Sequence, residues 1–346
     1  MAKIQSVDNS QLADNFAPLK IPRLLVVDLF RGLAVLGMLI YDYVPFFSYN
    51  EPRILQHGRT DFLLPGDFVA PFFLFTMGMS LAFTWTNRRS KGVPEREILK
   101  QVLYRAVMLI VIGLLVDETK AMLVGMNFGL RWGVLETLGV SYLITYLALR
   151  LNIFWRIAAI TGLLTTHFLL SQLDSYVHIL NTFAHGSPFG VLGWAVISIF
   201  GMIAGEHLVV GAVDYEWWLY KVGCSLVLLG VIVNTFEPFS KNEVSISYAL
   251  LSSGVSVLVF MFLYGLIEVL HWKWLIRIMK PLRDFGIAAL TVWILQYILA
   301  APIIYDLYRH GARLPWEYGT IVAGGLIVIT WTVVHFLNRR GLTLRI

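Results

Sequence analysis

Ten apolar runs of near-membrane length dominate the sequence, close to residues 25–46, 67–86, 98–116, 132–149, 154–171, 189–210, 218–235, 247–270, 285–303 and 318–337. About twenty apolar residues are what a helix needs to cross a hydrocarbon layer some 30 Å thick. No water is present there to satisfy backbone N–H and C=O groups, so a spanning chain must be helical or form a closed barrel. The runs are continuous rather than alternating over ten residues, which excludes barrel strands. The expectation is all-α: a polytopic helical bundle of about ten transmembrane helices. Composition agrees, with 58% hydrophobic and only 14% charged residues.

Orientation follows from the basic residues. Of the 27 Lys and Arg, eighteen fall in one set of alternate loops and the termini, and seven in the other set. By the positive-inside rule both termini are cytoplasmic. The net charge of +5 is thereby explained by membrane orientation, and no nucleic-acid partner is expected. Residues 1–23 are polar and lack the apolar core of a signal peptide, so they read as a cytoplasmic segment. Residues 24–346 then form a single transmembrane domain. The lone cysteine, Cys224, cannot make an intrachain disulfide. There is no Walker loop, dinucleotide fingerprint or HExxH string.

The two remaining basic residues, Arg31 and Arg105, lie inside spans. Ionisable groups at membrane depth are expensive and mark functional sites by default. Arg31 follows Asp28 by one helical turn, so the two form either a structural ion pair or part of a ligand site. Arg105 lies about two turns into its helix and could equally snorkel to the headgroups. Asp42 closes the first span, and Asp67 opens the second, ten residues after His57 on the intervening outward loop. An imidazole with a carboxylate neighbour suits general base work, because histidine titrates near pH ~6.5 and an acid can fix its tautomer. Either Asp67 or Asp42 could be that acid, while an exposed loop histidine without a role remains the alternative. Lys241 and Asn242, on an outward loop, could contact a substrate or cap the helix that begins near Val244. His178 and His185, with Asp174, form at most a weak metal pattern. Arg88, Arg89 and Lys91, like Lys273, Arg277, Lys280 and Arg283, could steer phosphates, although orientation alone accounts for them.

Several of these strings together carry a resemblance. Asp28-Leu-Phe-Arg31-Gly, Met38-Leu-Ile-Tyr-Asp42, His57, Asp67-Phe-Val-Ala-Pro71 through Gly78-Met-Ser80, Gly133-Val-Leu-Glu-Thr-Leu-Gly139, and Pro238-Phe-Ser-Lys241-Asn242 through Tyr248 follow in order. The chain resembles the heparan-α-glucosaminide N-acetyltransferase family and its bacterial relatives from residue 23 to the basic C-terminus. That resemblance implies a multi-pass protein of the cell inner membrane that moves an acetyl group from cytosolic acetyl-CoA to an amino sugar, or a sugar hydroxyl, on the outer side. It implies that His57 is the catalytic residue, as base or acetyl acceptor, with Asp67 and Asp42 as partner groups. Arg31, Asp28 and Arg105 are then candidates for contact with the coenzyme A thioester, and Lys241 and Asn242 for the glycan acceptor. Asp42 stands where the family has an asparagine, Glu136-Thr137 where it has Gln-Arg, and Ala288 where it has another asparagine. A transporter or flippase of a sugar-type or anionic substrate is the alternative class, though no repeat relates the two halves. The Gly201-x-x-x-Gly205 face could support a homodimer.

Overall fold

The computed structural model describes residues 24–58, 62–123, 125–310 and 313–344. The segment 1–23 and the basic residues Arg59 and Arg345 lie outside the described residues. The helices are α1 (Leu25–Phe47), α2 (Val69–Ser90), α3 (Glu95–Leu123), α4 (Val134–Leu149), α5 (Ile153–Ser171), α6 (Asp174–Leu180), α7 (Val191–Val209), α8 (Tyr215–Val233), α9 (Ile246–Tyr264), α10 (Lys273–Ile278), α11 (Lys280–Ile287), α12 (Ala289–His310) and α13 (Trp316–Arg340). Two short strands, β1 (Ser48–Tyr49) and β2 (Leu314–Pro315), pair in parallel and tie the end of α1 to the start of α13.

Each of the ten expected runs falls on a helix. Seven helices among the described residues, α2, α3, α5, α7, α8, α9 and α13, are long and apolar enough to cross a membrane. The other runs depart for visible reasons. The α1 run is interrupted by Asp28, Arg31 and Asp42, and α4 has only 16 residues. The run expected as one span near 285–303 is broken: α11 and α12 meet at a 94° bend, which makes eight spans if the pair counts as one.

Helix α1 packs against α2, α11 and α13. Its approach to α11 depends on reciprocal glycines: a Cβ on Gly32 would collide with the Leu282 carbonyl, and one on Gly286 with the Asp28 carbonyl. The α2–α7 pair repeats the device with Gly78 against Ser198 and Gly201 against Phe75. In lipid, where burial supplies little force between helices, such close backbone approach is what holds spans together. Gly205 likewise abuts the Met79 backbone. The Gly201/Gly205 face is therefore occupied within the chain by α2, and is not available for contact between copies. Phe30, Phe75 and Phe260 pack edge-on or tilted with ring centres about 6 Å apart, joining α1, α2 and α9.

The polar loop between α8 and α9 is anchored at several points. The buried His167 of α5 stands 2.9 Å from the Tyr176 hydroxyl and 3.0 Å from the Glu243 carbonyl. Val244, fully buried, has φ +58° and fits its side chain among Gly186, Gly190 and Gly193. A β-branched residue in the left-handed region is a steric outlier, held there only by surrounding packing. Ser245 caps α9 by accepting the Tyr248 amide, so this cap is not Asn242.

Candidate functional site

The turn Pro65–Phe68 that precedes α2 delivers Asp67 into the protein interior, where it is 0% exposed. Its Oδ2 accepts two backbone amides, from Gly58 and Leu64, each at 2.9 Å. Its own carbonyl accepts the Tyr248 hydroxyl at 2.6 Å. Gly58 and Gly66 are required by space: a Cβ on Gly58 would strike Asp67 Oδ2, and one on Gly66 would lie 2.6 Å from the Tyr41 ring. The His57 loop is thus folded onto the carboxylate through the amide of the next residue.

The His57 ring, 44% exposed at the side chain, places Nδ1 3.3 Å from Asp67 Oδ1. Lys241 completes the group. Its Nζ lies 2.9 Å from His57 Nδ1 and 3.3 Å from Asp67 Oδ1, with 15% of the side chain exposed. Asp67 Oδ1 thus faces both nitrogens within ion-pair range, while neither is a hydrogen-bond partner by direction. Burial pulls the Lys241 ammonium below its usual pKa, against the opposing pull of Asp67 and Asp42. Tyr41 of α1 faces the imidazole with ring centres 5.8 Å apart.

The structure separates the two acids that the sequence left as equals. Asp67 touches the imidazole; Asp42 instead accepts Gln296 Nε2 from α12 at 3.3 Å, and the adjacent Tyr43 donates to the Gln296 carbonyl at 3.0 Å. Gln296, a lone amide in an apolar run, had a readable signal that sequence reasoning passed over, as did Tyr41 and Tyr248. The residues offered as substrate contacts also divide: Lys241 turns onto His57 and Asp67, while Asn242 is exposed beside them. His185 sits on the same wall, its carbonyl bonded to Trp194 Nε1 at 2.9 Å. Among the described residues no group of three His, Cys, Asp or Glu could hold a metal, and His178 with His185 makes none.

His57, Lys241 and Asn242 line one end of a cavity of about 1740 Å³ that continues past Asp42 and Tyr297 to Arg31, Ser80, Thr84 and Arg105. Arg31 is held by Asp28 at 3.6 Å, by the Gly286 carbonyl at 3.2 Å and by the Ser80 hydroxyl. Asp28 is buried behind Arg31 and is not part of the cavity wall. Arg105 stacks over the Tyr142 ring at 4.9 Å, and its buried Nε has no hydrogen-bond partner among the described residues. Eleven residues of α1 separate Arg31 from Asp42, a rise of about 16 Å. Arg31 and Arg105 thus line the part of the cavity remote from His57, while Arg131, paired with Glu118 at 2.9 Å, and Arg313 line it as well. The Thr137 hydroxyl, at a position the sequence singled out, accepts Trp132 Nε1 at 2.9 Å and is not a cation that could hold an anion.

Comparison with known proteins bears on the same region. The family model described as heparan-alpha-glucosaminide N-acetyltransferase, catalytic, matches residues 23–230. The heparan-alpha-glucosaminide N-acetyltransferase of Homo sapiens is 30% identical over 129 residues, 36% of this chain and 18% of that protein. That of Mus musculus is 30% identical over 128 residues, 35% of this chain and 18% of its own. The similar stretch thus spans under a fifth of these relatives' length. His57, Asp67, Asp42, Arg31 and Arg105 fall inside the family match, and Lys241 and Asn242 beyond it.

Proposed function

Because the chain belongs to the heparan-alpha-glucosaminide N-acetyltransferase catalytic family, we propose that it is a transmembrane acetyltransferase with acetyl-CoA as donor and an amino sugar, or a sugar hydroxyl, as acceptor. The observation that carries this reading is that one cavity is lined both by His57, paired with Asp67, and by the remote Arg31 and Arg105. Coenzyme A enters from the cytosol, its phosphates toward Arg31 and Arg105, and its flexible arm reaches along α1 toward His57. Arg105 suits an anion because its buried Nε has an unused donor. Asp28 holds Arg31 in place rather than touching the donor. The acceptor meets the thioester at the outer face of a bacterial inner membrane, with Asn242 and Asp42 beside it.

Acetyl transfer from a thioester to an amine needs a base, stabilisation of charge and exclusion of water. His57 Nε2, turned from Asp67, takes the acceptor's proton, and the Asp67 carboxylate on the Nδ1 side stabilises the positive charge that this proton brings to the site. The same lone pair would form an acetyl-imidazole in a two-step route. The apolar walls contributed by Met38, Phe73, Leu138 and Trp293 keep water from the thioester.

The test uses purified full-length protein, acetyl-CoA and glucosamine. Thiol release that depends on acceptor, is lost in His57→Ala and survives in His178→Ala supports the proposal. The broken α11–α12 pair is the one feature that favours a transporter, since such folds use discontinuous helices. Uptake of acceptor into vesicles with no thioester cleaved would establish that reading instead.

A further inference from the structure

We propose that Lys241 is a positioning residue that takes and returns the Nδ1 proton of His57, so that the imidazole changes tautomer during acetyl transfer. The inference rests on the acetyltransferase reading and assigns Lys241 to the imidazole rather than to the acceptor. Its ground is the closeness of the two nitrogens, 2.9 Å, against 3.3 Å from each to Asp67 Oδ1. Two nitrogens at that separation share one proton. Either the ammonium donates to a bare Nδ1, which leaves Nε2–H toward the cavity, or Nδ1–H donates to a neutral amine, which leaves a lone pair at Nε2. The first form is an acid and the second a base, and acetyl transfer needs both at one atom.

The step balances. With Lys241 neutral, Nε2 accepts a proton from the acceptor nitrogen as that nitrogen bonds to the thioester carbon, and the Nδ1 proton moves to Nζ. The products are a neutral imidazole bearing Nε2–H and an ammonium beside the Asp67 carboxylate. When the carbon–sulfur bond breaks, Nε2 gives its proton to the leaving thiolate and Nζ returns its proton to Nδ1. No charge is left on the ring. The other groups acting on this pair are Tyr41 from α1, Asp67 before α2 and Asp42 of α1, and His185 lines the same cavity. Burial, which lowers the ammonium's pKa, makes the neutral amine accessible. The strained Val244 and its glycine cradle hold the loop that delivers Lys241.

Lys241→Arg and Lys241→Met in the full-length protein test this, since arginine keeps the charge and the donor but stays protonated. In thiol-release assays across pH, both variants should lose kcat by about 100-fold or more, with KM for glucosamine little changed. Rescue by Arg to within about threefold, with the wild-type pH profile, would mean that only a fixed cation is needed and would overturn the proposal. The second readout needs no turnover: nitrogen resonances of 15N-histidine-labelled protein, assigned to His57 by His57→Ala. Wild type should pass from Nε2–H to Nδ1–H as pH rises, and Lys241→Arg should stay in the Nε2–H form. A wild-type ring fixed in one neutral tautomer across that range would overturn the inference. Tautomer exchange with no thioester cleavage by any acceptor would sink the acetyltransferase reading, and with it the Lys241 proposal.

Discussion

Replacing Asp67 tests the centre of the site, because its two oxygens do different work. Oδ2 accepts the Gly58 and Leu64 amides, and Oδ1 faces His57 and Lys241. A hydrogen bond to a charged group contributes about 1.5–3 kcal/mol. Asp67→Ala removes two such bonds in a fully buried place, so a loss of roughly 3–5 kcal/mol follows, enough to unfold the His57 loop. Asp67→Asn keeps an acceptor at the Oδ2 position, and its stability cost should stay near 1–2 kcal/mol. Its amide at the Oδ1 position, however, directs N–H groups at two nitrogens that need a negative partner. The asparagine variant should therefore fold and yet lose about 10²–10⁴ in kcat, as removal of an orienting acid does elsewhere. Chemical unfolding in detergent ranks stability, and acetyl-CoA-dependent thiol release measures rate. A folded Asp67→Asn protein with kcat within about threefold of wild type would refute the role given to the carboxylate.

Arg105→Ala should raise KM for acetyl-CoA by roughly tenfold with little change in kcat, since Arg105 lies at the end of the cavity remote from His57; initial-rate kinetics decide it. Val244→Gly relieves the positive φ but empties the glycine cradle, and the lost burial outweighs the relieved strain by about 1 kcal/mol; thermal unfolding should show a modest loss alongside a larger loss of kcat. Stability should also depend on alkaline pH through Lys241. Its pKa in the folded chain is lowered by burial, so the unfolded chain binds more protons between that value and about 10.5, and stability rises with pH across this window. The gain is complete above the unfolded value and is lost as pH falls through the folded one. The slope should be absent in Lys241→Met.

Helix placement was legible because long apolar runs leave little choice, and all ten coincide with helices. The elbow at Ala288 was not, since the string Ile287-Ala288-Ala289-Leu290 holds neither Gly nor Pro. Gly286, one residue before that string, serves the close packing with Gly32 that seats α11 on α1. The His57–Asp67 pair was visible because both lie on one short loop, where proximity in sequence becomes proximity in space. Lys241 stands 184 residues from His57, and no local pattern reports such a meeting. The placement of Asp42 was hidden for a related reason: it lines the same cavity as His57, but its hydrogen-bond donor Gln296 comes from the far end of the chain.

The Gly58 and Leu64 amides fix the Asp67 carboxylate before any ligand arrives. A carboxylate already committed at one oxygen cannot swivel when a proton moves among the nitrogens beside it, so the protein spends nothing on turning dipoles at the moment of reaction. The cost of orienting that acid was met when the chain folded.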